Sequence, residues 1–395
     1  MVKKVIIIIS FSILVLLIIG GVVFFVFHKK INEIFSVSSE QEKQIEQIIS
    51  QRRQERSVLG FDAMELFNEK GIVRILFIGL DNRIGQSQGH CDAIQMIEIN
   101  KNKKNIVITA VPRGTYSPLP GSGHQPTDYY VSKACEVGGL EYGVGQIEKI
   151  LGQKADYVVF LGFSQAMGIF RQLDLPANET MQWLRLRQGY AIGEPQRARN
   201  HSTFIKQMIL DFAPKLKSDL NFQLGYLLFK YVRTDLTFEE AFYLAKIVEE
   251  IDAPNHPERI VLLMRPAYDV QDIPYDQENL NEYIEKMIKP IAGIIPENAY
   301  SGQTREEAQA KLLADIQAGL ADEDFVSWAF DNYLWLQIDD DKEREKAHYD
   351  ILEKYVIFSE VEEEKKQIIA DYIIEKEDLG QEYWAQQGRG LLAGL

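Results

Sequence analysis

VRILFIGL at Val73–Leu80, AIQMIEI at Ala93–Ile99 and NIVITAV at Asn105–Val111 are the stretches on which the fold reading turns. Each is short, rich in β-branched residues and bounded by turn residues or charges, which is the pattern of buried strands. Asn102–Lys104 reads as the connection of a hairpin between the second and third. Working outward, Glu141–Leu151 reads as a helix, Tyr157–Leu161 (YVVFL) as another buried strand, and Ser164–Leu173 as a helix. Arg199–Leu216, Asp219–Val232 and Thr237–Ile251 read as three further helices, and Arg259–Met264 (RIVLLM) as a late strand. Strands mixed with helices on this scale predict an α/β class, built as an α/β/α sandwich over residues 71–290.

The rest of the chain frames that domain. Val5–Phe27 is 23 residues without a charge, long enough as a helix to span about 34 Å. That length, with no small-residue cleavage site after Phe27, predicts an uncleaved transmembrane anchor and not a signal peptide. Residues 1–30 are therefore expected to be a cytoplasmic stub and anchor, placing the bulk of a single-pass protein outside the cell membrane. Ser39 and Glu42 form a capping box, and Ile45, Ile48 and Ile49 form one apolar stripe within residues 31–70. That segment reads as a helical stalk or as a helix packed on the first domain. Met287–Thr304, with Pro290, Gly293, Pro296 and Gly302, is a plausible boundary. Beyond it Thr304/Glu307 and Ser359/Glu362 read as capping boxes, and Phe325, Trp328, Leu352 and Tyr372 recur at helical spacing.

Charge sorts the function classes. The 395 residues carry a net −15, and residues 301–395 hold 10 basic against 23 acidic residues, so the tail is the acidic part. Such an excess repels phosphodiester backbones, which argues against nucleic acid as a partner. Two cysteines exclude a disulfide-knotted scaffold, and no Cys/His cluster suggests structural zinc. The segment 304–395 is expected to be an acidic helical domain, either docking a protein partner or bracing the central domain.

Three strand ends bear chemistry. Asp81 follows the first strand, Asp92 opens the second and Arg113 follows the third, so neighbouring strands would bring them to one rim of a sheet. Two close carboxylates repel unless a proton or a divalent cation joins them. Arg185, Arg187, Arg197 and Arg199 crowd one later segment, and guanidinium forks match phosphate oxygens in pairs. From spacing alone the plainer reading is still turn capping and surface ion pairing.

The ordered series RILFIGLDNR, CDAIQMIEI, NIVITAVPRGTY, VSKACEVGG, LRLR, GEPQRARNH and TDLTFEEAFYLA resembles the extracytoplasmic domain of the LytR–CpsA–Psr family. The likeness covers about residues 71 to 250. It implies an α/β/α sandwich that holds a polyprenyl-diphosphate lipid and transfers the attached anionic glycopolymer to a peptidoglycan acceptor through a phosphodiester. By the same resemblance Asp81 and Asp92 would bind Mg2+, and Arg83, Arg113, Arg185, Arg187 and Arg197 would hold the diphosphate. Asp92 and Arg113 are the expected catalytic residues, with Asp92 first among candidate bases.

Departures from the family pattern support an alternative reading. The family's Pro-Arg-Asp triplet is Pro112-Arg113-Gly114 here, and an expected Arg-Gln pair is Asn200-His201. One charge is lost at Asn200 unless Arg199 substitutes, and His201 reads as a helix-surface residue. His124 and Asp128 are the candidates to replace the missing carboxylate, although a polar loop is the plainer account of both. The alternative is a catalytically impaired relative that binds the lipid diphosphate as a scaffold or regulator of envelope assembly. Cys91 and Cys135 are either a disulfide, permitted outside the cell, or two buried thiols.

Overall fold

The computed structural model describes residues 41–58, 65, 69–81, 90–212, 219–289 and 304–395. Val5–Phe27, Ser39 and Arg83 lie outside them, and among the described residues no helix is long and apolar enough to cross a membrane.

Alternating apolar residues give the strands two usable faces, and both are covered. The strands are β1 (Ile72–Leu80), β2 (Cys91–Asn100), β3 (Asn105–Ala110), β4 (Tyr157–Gly162), β5 (Arg233–Thr234) and β6 (Ile260–Met264). They form one sheet in the order β5-β4-β1-β2-β3-β6. β1, β2 and β3 pair antiparallel as consecutive neighbours, while β4 adds parallel to β1 and β6 parallel to β3. The parallel pairs need crossovers, and the helices supply them.

On one face Leu76, Ile78, Ile94, Met96, Val158 and Phe160 pack against α1 (41–58) and α2 (Val131–Leu151). The helix at 41–58 contributes Ile45, Ile48 and Ile49 to this core, so its apolar stripe is buried against the domain. Its arginines hold it there: Arg52 donates to Glu148 at 3.0 Å, and Arg53 to the Thr234 carbonyl at 2.9 Å. On the other face Val73, Ile99, Ile106 and Ile108 meet α5 (Gly193–Phe212) and α7 (Phe238–Ile251). Burying each such aliphatic side chain contributes about 1.5–3 kcal/mol. The result is a mixed α/β fold with helices on both faces of the sheet.

Several elements differ from the sequence reading. α2 starts at Val131, ten residues before the expected helix, because Gly139, at φ 81°, joins two helical pieces across a kink. α3 (Phe163–Gln172) is followed by α4 (Ala177–Arg185), which was not expected; its first turn follows Pro176. α6 (Asp219–Lys230) precedes β5, and α8 (Leu280–Ile288) was also not expected.

The C-terminal segment is helical: α9 (Arg305–Gly319), α10 (Glu323–Asp331), α11 (Asp341–Phe358), α12 (Glu362–Asp378) and α13 (Glu382–Ala393). Thr304 and Glu307 form the expected capping box, but Ser359 does not cap a helix, since α12 begins after Val361. Phe325, Trp328, Leu352 and Tyr372 are buried as core residues. This bundle docks on α3. Arg171 donates to the Leu336 carbonyl and, at 3.0 Å, to that of Ile338, while Gln337 donates to Ser164 at 2.9 Å.

Candidate functional site

A register shift fixes the site. Gly79 of β1 pairs with Ala93 and Leu80 pairs with Cys91, which leaves Asp92 as the extra residue of a bulge. A bulge re-aims side chains, and here it separates two neighbours. Cys91 is disulfide-bonded to Cys135 of α2 with a Cα–Cα distance of 6.2 Å, so the paired alternative holds. Asp92 instead lines a cavity on the other side of the sheet. Gly143 is required beside the bridge, because a Cβ there would lie 2.3 Å from Cys135 Sγ.

The cavity has a volume of about 300 Å3 and its walls are mainly apolar, with Phe77, Leu161, Ile169, Phe170, Met181 and Phe204 among them. Asp81, Asp92, Arg185, Arg197 and His201 also line it. α3, the helix on which the C-terminal bundle docks, supplies Ile169 and Phe170.

Three arginines and two carboxylates interlock at the strand-end rim. Arg113 Nη1 donates to Asp92 Oδ1 at 2.5 Å, and its Nε lies 3.5 Å from Glu194. Arg197 lies 2.8 Å from Glu194 and 3.8 Å from Asp92, and Arg187 donates to Glu194 at 2.8 Å. Burial opposes ionisation of Asp92, but the Arg113 and Arg197 guanidiniums outweigh it and hold the carboxyl below the usual carboxylate range. Burial opposes ionisation of Glu194 as well, and Arg197, Arg187 and Arg113 likewise depress its pKa. The site is therefore a set of fixed charges around an apolar chamber, suited to a ligand with an anionic head and a hydrocarbon tail.

The expected residues divide as follows. Asp81, Asp92, Arg185 and Arg197 line the one cavity, and Arg113 and Arg187 join them through Asp92 and Glu194. Arg199 does not substitute for the charge lost at Asn200; it pairs with Asp272. Asn200 is buried, accepting from Gln196 at 2.9 Å and donating to Tyr190 at 3.0 Å. His124 contacts the Pro120 carbonyl and Asp128 accepts from the Gln125 amide, so both serve their own loop.

His201 is not a helix-surface residue. It lines the cavity, its Nε2 lies 2.7 Å from the Leu184 carbonyl, and its buried Nδ1 has no hydrogen-bond partner. Burial, helped by Arg197, pushes its pKa down to about 4, so the neutral ring donates from Nε2 and keeps an acceptor at Nδ1. Glu194 and His201 were both missed from the sequence. The available signal was helical spacing, because Glu194, Arg197 and His201 fall at i, i+3 and i+7 on one face of α5.

Residues 31–168 match the model of the LytR_cpsA_psr family. The polyisoprenyl-teichoic acid–peptidoglycan teichoic acid transferase TagU of Bacillus cereus (strain AH820) is 28% identical over 157 residues, 40% of this chain and 47% of the relative. Its namesake in Oceanobacillus iheyensis is 32% identical over 87 residues, 22% of this chain and 27% of the relative. The chain thus spans less than half the length of these curated relatives. Among solved structures, TagV of B. subtilis overlays with a TM-score of 0.41 at 16% identity, covering 56% of this chain and 98% of that one.

Proposed function

Because residues 31–168 match the model of the LytR_cpsA_psr family, we propose that the protein is a glycopolymer transferase of the cell envelope. In this reading it moves an anionic glycopolymer from a polyprenyl diphosphate onto peptidoglycan. The observation that carries the reading is the apolar cavity with Asp81, Asp92, Arg185 and Arg197 in its wall. A hydrocarbon tail gains from the apolar lining, and diphosphate oxygens gain from guanidinium forks. The names of the TagU relatives, which specify teichoic acid and peptidoglycan, agree with that donor and acceptor.

The reaction balances without a covalent enzyme intermediate. A peptidoglycan hydroxyl attacks the phosphorus that carries the glycan, a P–O bond forms, and the P–O bond to the polyprenyl phosphate breaks. The hydroxyl proton passes to a base or solvent, and polyprenyl phosphate leaves. Negative charge grows on the nonbridging and leaving oxygens, where Arg113, Arg185 and Arg197 would stabilise it.

Asp81 and Asp92 would hold a magnesium ion. Among the described residues no three His, Cys, Asp or Glu side chains form a metal cage. Two carboxylates at one cavity suit an ion that takes its remaining ligands from phosphate and water. Bound there, it would neutralise charge on the diphosphate. Val5–Phe27 would anchor the chain so that the cavity can reach a membrane-borne donor.

Gly114 supports a second reading, a lipid-diphosphate-binding scaffold without turnover, because it removes a carboxylate expected from the resemblance. One experiment separates the two. The full chain in detergent is given a short-chain polyprenyl-diphosphate glycan, magnesium and peptidoglycan, with binding read by calorimetry and polyprenyl phosphate by chromatography. Turnover lost in Asp92→Ala and Arg197→Ala supports the transferase, and binding without turnover supports the scaffold. Absence of binding defeats both.

A further inference from the structure

The segment that leaves the strand-end rim is built with two faces. After Arg113 and Gly114 burial alternates: Thr115, Ser117 and Leu119 are buried, while Tyr116, Pro118 and Pro120 are exposed. Its backbone is held in place. Tyr116 bridges Tyr130 as an antiparallel pair, the Ser117 amide donates to the Tyr129 carbonyl at 3.2 Å, and the Val131 amide donates to that of Thr115 at 2.9 Å. The Ser132 amide donates to the Arg113 carbonyl at 3.1 Å, and Tyr142 Oη donates to that of Pro118 at 3.1 Å, which ties the ridge to the site and to α2. Tyr116 is nonetheless 70% exposed, its ring stacked beside Tyr129 at 6.4 Å and 18°, and His124 meets Tyr129 edge-on at 6.2 Å. A ring fixed by its backbone and left in water is a ready contact surface, because binding there costs little further ordering.

Charge and position say what it meets. Gly114–Thr127 holds no Asp, Glu, Lys or Arg, in a chain that is 26% charged. A charged polymer therefore finds no counter-charge on the ridge itself, and a bilayer surface would ask for flanking lysines or arginines. Neutral sugar rings need neither. Their C–H faces carry partial positive charge that suits the negative face of a tyrosine ring, and their hydroxyls stay in water. Tyr116 lies three residues from Arg113, at most about 11 Å of chain. A sugar resting on it keeps the next ring of the same strand at the rim.

We propose that the Tyr116 ridge is the acceptor subsite, binding a neutral β-1,4-linked N-acetylhexosamine strand by stacking one ring on Tyr116, with Pro118 and Pro120 extending the surface. Tyr116 is a positioning residue: it holds the strand so that a hydroxyl faces Arg113 and Asp92, and it takes no part in the bond changes. The purpose of the subsite rests on the transferase reading. The binding itself does not, since it uses none of the residues that line the apolar cavity.

The test is calorimetry on the full chain in a sugar-free detergent with N-acetylchitotetraose. Saturable binding is expected, weakened about five- to tenfold in Tyr116→Ala and kept in Tyr116→Trp. Tyr383→Ala, which removes a similarly exposed ring on α13, should change nothing. With magnesium, donor and peptidoglycan, Tyr116→Ala should raise the acceptor concentration for half-maximal polyprenyl phosphate release by the same factor, at unchanged maximal rate and donor binding. Glycan binding without donor binding would sink the transferase reading and keep the glycan subsite; donor binding without glycan binding would do the reverse. In nanodiscs, quenching of Tyr116→Trp by brominated lipids beyond that of the parent, with no glycan binding, would make the ridge a membrane contact and overturn the proposal. So would a folded Tyr116→Ala that binds the glycan like the parent, or one with a lower maximal rate at unchanged half-saturation.

Discussion

Arg113 donates to Asp92 at 2.5 Å while its Nε lies 3.5 Å from Glu194, so a single guanidinium bridges two carboxylates. Only a planar fork with separated donors spans such a pair. Arg113→Lys keeps the charge but can serve one carboxylate at a time. Under the transferase reading, polyprenyl phosphate release should fall about 10- to 100-fold while donor binding, measured by calorimetry, stays within a few-fold.

Gly114 has no atom within 4 Å of the position a Cβ would occupy. Gly114→Asp therefore meets no steric obstacle and supplies the carboxylate that the family pattern expects. Turnover should rise about tenfold or more if that group limits the reaction as a base. Steady-state release of polyprenyl phosphate checks it, and an unchanged rate would argue that Gly114 is not the reason for any impairment.

Cys91 and Cys135 close a loop with a sequence separation of 44. Removing the bridge as Cys91→Ser/Cys135→Ser should cost about 3–4 kcal/mol in the chain-entropy model. Because Cys91 precedes Asp92, the same variant should also loosen donor binding. Chemical denaturation with and without reductant reads the first effect, and calorimetry the second.

Legibility followed periodicity. Val73–Leu80, Ala93–Ile99 and Asn105–Val111 were readable as strands because each alternates between two covered faces. α4 escaped because Pro176 opens it and polar Asn178, Glu179 and Thr180 fill its first turn, leaving a weak apolar pattern over only 9 residues. In the site, Asp92 and Arg113 were legible because strand ends project to a rim. Whether Arg199 makes up for Asn200 was left open by the sequence, and the structure decides it: one helical position rotates a side chain by about 100°, and Arg199 pairs with Asp272 as the plainer surface ion-pair reading has it. His201 was misjudged because burial by α4 comes from an element the sequence did not announce, and the Leu184 carbonyl that receives its Nε2 belongs to that helix.

His201 presents an unpartnered Nδ1 in the cavity wall. His201→Gln keeps an acceptor and a donor on a side chain of similar reach, whereas His201→Leu removes both. The glutamine variant should retain donor binding within a few-fold. The leucine variant should lose the Leu184 contact and bind about tenfold more weakly, the size of one buried hydrogen bond. Equal binding by both would mean that Nδ1 meets no part of the donor.

Glu42 supplies a pH test of how α1 is docked. Burial raises its carboxyl from 4.5 to about 7, against the pull of Arg233 2.9 Å away. Burial raises the Asp331 carboxyl as well, from 3.8 to about 6. The sign follows from proton counts. Between the unfolded and folded pKa values the native state holds a proton that the unfolded chain has released, so stability falls as pH rises. For Glu42 that window runs from 4.5 to about 7, and above it the loss is complete. The full chain should therefore be less stable at pH 7.5 than at pH 5 by on the order of 2 kcal/mol from Glu42. Glu42→Gln, which carries no charge to desolvate, should flatten that part of the profile while leaving the contribution from Asp331. Denaturant midpoints at half-unit pH steps read the slope directly, and a profile identical in the two proteins would show that Glu42 is ionised in both states throughout this range.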